Sequence, residues 1–245
     1  MGVYLSQFCA TGAEGTQWKY GHSCQMVGEI RGNPELDVIP LLEPDTARDP
    51  GIAKLIHVYF LDHKSASILD PAALKSLDVI VIPRINYIQD EELTAIETAV
   101  KGGVGLLIRN TFGNGVPGYR TDVAALNGFT EAEFSYTPQP LECEVIADHP
   151  ILGTLKKGDT LSMTPNGAFG TMLPGSTPLI RVKDMGDGIP EGAVFYPVFL
   201  SQLEKGRIVQ CVFPAWEGTP AGLQKATGGK FTVRAIKWAA GRAVE

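Results

Sequence analysis

The stretch from Leu77 to Ile108 constrains this chain more than any other part of it. Leu77–Pro83 reads LDVIVIP and is continuously apolar after Asp78. Such a run fits a strand covered on both faces, as in a parallel sheet, better than a strand with one wet face. Asp90–Lys101 follows, with Leu93, Ile96, Ala99 and Val100 at helical spacing. Acids fill its first turn, where the helix dipole favours them. Gly102-Gly103 stops the helix, and Val104–Ile108 (VGLLI) is a second doubly buried strand. Strand, helix and strand within about 30 residues make a βαβ unit, whose strands are parallel and whose crossover is right-handed. The chain is therefore expected to be α/β, with a mostly parallel sheet between layers of helices.

The remaining elements are read in the same way. Val3–Ser6 is a first strand, Gln7–Tyr20 a long polar loop, and Gly21–Arg31 a helix ended by Gly32. Leu36–Leu42 is a second strand, with Pro40 favouring an edge position or an early end. Ile52–Leu61 is rich in β-branched and aromatic residues, which favours a strand, with a helix as the alternative. Asp70 caps a short helix, Pro71–Ser76, with proline at its first position. Tyr119–Asn127 is a further short helix. From Phe129 to Phe213 the pattern changes to short strands parted by Pro and Gly: Ala132–Tyr136, Glu142–Ile146, Thr177–Val182, Ala193–Leu200 and Arg207–Phe213. The last two read as a hairpin. No linker interrupts the chain, so residues 129–213 are an antiparallel β extension on one domain spanning 1–245. Phe231–Ala240 closes the chain as a helix.

Charge and composition narrow the function. Lys plus Arg number 21 and Asp plus Glu 27, a net charge of −6, which lacks the basic field a general nucleic-acid binder needs. No apolar run nears the ~18 residues that span a bilayer. The first residues show neither a basic nor an apolar leader region, so a cytoplasmic location is expected. Cys9, Cys24, Cys143 and Cys211 are scattered without a CxxC pair and read as reduced thiols. His22, His57, His63 and Glu43 have no metal-ligand spacing, and no metal is expected. Gly113–Gly118 lacks the lysine and hydroxyl of a phosphate-binding loop, and no cofactor is expected either.

Several segments together resemble the class I glutamine amidotransferase-like superfamily, and within it the ThuA-like, trehalose-utilisation branch. They are LDVIVIP, KGGVGLLIRNTFG, the HPIL turn at His149–Leu152, KGRIVQCVFPAWEG at Lys205–Gly218 and AIKWAA at Ala235–Ala240. The resemblance implies a flavodoxin-like, three-layer core. In catalytic members a cysteine occupies a G-x-C-x-G turn whose backbone N–H groups face the forming oxyanion. The matching stretch here is Arg109-Asn110-Thr111-Phe112-Gly113, which puts Thr111 at the nucleophile position and Arg109 at the first glycine. Glu217 matches the family's acid, but no histidine stands near it. A threonine hydroxyl without an adjacent base is a feeble nucleophile, so chemistry by the Cys-His-Glu triad is not expected.

Ligands of open α/β sheets bind outside the carboxyl ends of the strands. Arg84 and Asn86 follow one core strand there, and Arg109, Asn110 and Thr111 the next. Two arginines leaving adjacent strands can share one anion. Glu43 and Glu217 are the acids that would instead pair with them. Trp18, Tyr20 and Trp216 offer stacking surfaces, and His22 stands near a helix start. The expected function is binding of a small carbohydrate or anion by an amidotransferase-like domain that has lost its triad. Two alternatives stand beside it. One is a hydrolase-type enzyme built on Cys9, His22 and Glu217, and the other is a homo-oligomeric scaffold module assembled through the β extension.

Overall fold

The computed structural model describes residues 1–5, 26–28, 30, 33–49, 51–61, 63–83, 88–109, 124–129, 134–136, 140–164, 167–169, 171–184, 194–211 and 221–245. Its strands are β1 (Gly2–Leu5), β2 (Ile39–Leu42), β3 (Ala66–Ser67), β4 (Val79–Ile82), β5 (Gly105–Arg109) and β6 (Phe134–Tyr136). They continue with β7 (Leu141–Val145), β8 (Thr160–Met163), β9 (Gly167–Phe169), β10 (Thr177–Val182), β11 (Val198–Leu203) and β12 (Gly206–Cys211). Ten of them form one sheet in the order β3-β2-β1-β4-β5-β12-β11-β10-β7-β8, and β6 and β9 pair separately. From β3 to β12 neighbouring strands run parallel. From β12 to β8 they run antiparallel.

Alternation along the core strands explains the three layers. Val79, Val81, Leu107, Val209 and Cys211 face one layer and cluster with Met26, Val27 and Ile30 and with the helix Phe231–Ala239. Ile80, Ile82, Leu106, Ile108 and Ile208 face the other and cluster with Leu74, Leu93, Ile96 and Val100. Those last four residues belong to the helices Pro71–Lys75 and Asp90–Lys101. β4 and β5 are buried on both faces along their whole length, as the unbroken apolar run of β4 and the apolar body of β5 require. Asp70 caps the shorter helix as expected, its carboxylate accepting from the Ala72 N–H at 2.9 Å.

Three readings change. Ile52–Phe60 is a helix. Its buried Ile52, half-buried Ile56 and buried Phe60 recur every four residues, and that period outweighs the β-branched composition. β12 leaves the antiparallel extension, because it pairs parallel to β5 with Cys211 opposite Arg109. It is therefore the hinge strand at which the sheet changes sense, hairpinned to β11 through Glu204-Lys205. The short strands β3, β8 and β9 and the helix Ala221–Ala226 have no counterpart in the sequence reading. β8 is the sheet's last strand, and the helix Ala221–Ala226 packs against it so closely that a Cβ on Gly222 would meet the carbonyl oxygen of Ser162.

Candidate functional site at the carboxyl ends of the parallel strands

The sheet order reverses between β1 and β4. From β1 the chain moves outward to β2 and β3, then returns to β4 and continues to β5 on the opposite side. β1 and β4 are thus neighbouring strands from which the chain continues to opposite sides of the sheet. That reversal is where open α/β sheets take their ligands. The register lines up the edge: Leu5 pairs with Leu42, and Ile82 with Ile108. Glu43, one residue past β2, and Arg109, the last residue of β5, stand on the two sides of that reversal.

Both flanking charges are buried. Arg109 is 3 % exposed and Glu43 1 %. Arg109 shares the sheet face of Leu107 and directs Nη1 to the Met26 sulfur at 3.7 Å. Met26 lies in the helical stretch at 26–28. The guanidinium thus lies against the helical stretch that carries Met26. Glu43 Oε1 accepts a hydrogen bond from Thr46 Oγ1 at 2.7 Å. Three strand spacings separate β2 from β5, about 14 Å, so the two charges bracket the reversal instead of meeting across it.

The expected neighbours Arg84 and Arg109 do follow adjacent parallel strands, since β4 pairs with β5. Arg84 itself lies outside the described residues, as do Asn86, Asn110, Thr111, Trp18, Tyr20, Trp216, Cys9, His22 and Glu217. Of the expected site residues, the structure thus describes Arg109 and Glu43 alone. It adds polar groups that the sequence did not single out. Gln210 is fully buried in β12, between Ile108 and Phe199. Glu92 is 1 % exposed and accepts from the Gln89 N–H at 3.1 Å, closing the first turn of the helix that follows β4. The signal for Gln210 was present as a lone amide inside an apolar strand, RIVQCVF.

Other chemistry-bearing residues lie elsewhere. His63 pairs with Asp37 at 3.1 Å on the surface. Cys143 is buried, and desolvation pushes its thiol up to about 12, which keeps it unreactive. His149 packs edge-on to Trp238 with ring centroids 5.5 Å apart, and its Nδ1 accepts from the Ile151 N–H at 3.4 Å. Trp238 also lies under Arg207, near the start of β12. His149 is therefore tied to the opposite end of the sheet, in a structural role.

Burial holds the His149 imidazole below its ordinary pKa. The unfolded chain then binds the proton more readily than the folded one, so this contribution is fully present above about 6.5 and is lost as pH falls from there through the lower folded value. Protonation at Nδ1 would also remove the acceptor for Ile151. The melting temperature of the wild-type chain is expected to fall more steeply between pH 7 and 5.5 than that of His149→Asn, which keeps a capping acceptor without titrating. Parallel curves for the two proteins would show that His149 does not contribute.

No protein-family model and no curated protein matches the chain. Solved structures do. A protein described as ThuA-like from Parabacteroides merdae aligns with a TM-score of 0.62 over 100 % of this chain and 91 % of its own, at 13 % identity. A second, from Bacteroides uniformis, aligns with a TM-score of 0.53 over 77 % of this chain and 80 % of its own, at 16 % identity. This chain has a ThuA-like fold. The same architecture recurs inside a larger enzyme, the β-galactosidase of Bacillus circulans, with a TM-score of 0.59 and 10 % identity. There it covers 99 % of this chain but 31 % of that enzyme, so this chain spans under a third of the galactosidase. At such identities the likeness is one of fold, and function has to come from the site. Among the described residues no helix is long and apolar enough to cross a membrane.

Proposed function

We propose that this ThuA-like chain binds a small polar ligand, anionic or carbohydrate, in the crevice between the carboxyl ends of β1 and β4. The observation that carries the reading is the reversal of strand order there, with a buried arginine on one flank and a buried glutamate on the other. A buried guanidinium is a strong, geometrically specific partner for a carboxylate or phosphate. Glu43 on the far flank suits a hydroxyl donor. In sequence, the stretches that follow β1 and β4 include Trp18, His22, Arg84 and Asn86, residue types that stack on and hydrogen-bond to such a molecule. Threonine at position 111, where catalytic relatives of the superfamily carry cysteine, supports binding over amide-transfer chemistry.

Thermal-shift measurement against a panel of small carboxylates, phosphates, sugar phosphates and neutral sugars tests this. A ligand at a hundred times its Kd adds about 2.7 kcal/mol, which raises Tm by about 5–11 °C in a chain of this size. The shift should vanish in Arg109→Met for an anion and in Glu43→Gln for a neutral sugar. Ligands that stabilise both variants as well as the wild type would place the site elsewhere. A panel with no active member would overturn the reading.

A further inference from the structure

We draw no further inference here: the strongest candidate, the groove of about 1040 Å³ lined by the helices Pro71–Lys75 and Asp90–Lys101, is an unpartnered apolar face, and nothing in the structure shows what covers it.

Discussion

Truncating Arg109 to alanine is expected to lower the free energy of unfolding by about 2–5 kcal/mol, the range for deleting a long buried side chain. The residue ends a strand, yet it is only 3 % exposed, and its stem lies in the layer that holds Leu107, Cys211 and Met26. Alanine removes both the stem and the guanidinium. Methionine keeps an apolar stem of similar length, so Arg109→Met is expected to recover about half of the loss. Urea unfolding of the three proteins separates the two contributions. If methionine is no better than alanine, the polar contacts of the guanidinium carry the whole effect. If methionine matches the wild type, the stem carries it. A fall of under 1 kcal/mol for alanine would contradict the burial on which the expectation rests. The methionine variant is also the one in which anion binding should be lost with the fold retained.

Replacing Gly105 with alanine is expected to cost about 3 kcal/mol, a fall in Tm of about 6–12 °C. Gly105 opens β5, and a Cβ there would meet the carbonyl oxygen of Ala239, at the end of the closing helix. That obstacle is backbone, so no rotamer change relieves it. The helix Phe231–Ala239 would have to lift from the sheet, although Phe231, Ala235, Ile236 and Ala239 all pack into the core there. Gly28→Ala is the control. A Cβ at Gly28 meets nothing within 4 Å, and alanine in a helical position stabilises by about 0.5–1 kcal/mol relative to glycine. Similar melting temperatures for Gly105→Ala and the wild type would mean that the helix does not approach β5 as closely as described.

The local units of this fold were legible in the residues. Leu77–Ile108 dictates its βαβ crossover because both strands are apolar throughout and the helix between them has one apolar face and a Gly-Gly stop. Asp70-Pro71 announces a helix start, since the carboxylate accepts the first N–H groups and proline needs none. The hairpin of β11 and β12 and the helix Phe231–Ala239 follow from equally local patterns. Each depends on residues close in sequence, so period and capping chemistry are enough to show it.

Tertiary structure decided what depends on distant pairing. That β12 lies parallel beside β5, and so joins the core, rests on an edge contact between strands about a hundred residues apart, for which β12 carries no mark of its own. Ile52–Phe60 became a helix because the surrounding layer offered a surface for one apolar stripe, and packing overrides a weak β preference. β8 is short and half-exposed, and it is a strand only because β7 and the helix Ala221–Ala226 hold it. The burial of Arg109 and Gln210 likewise came from the neighbouring strands and helices, not from the residues themselves. The reversal of strand order belongs to this second group. Sequence placed Arg109 and Glu43 at strand ends, but the reversal of strand order between β1 and β4 is a property of the assembled sheet, and it is what sets those two buried charges on opposite sides of it.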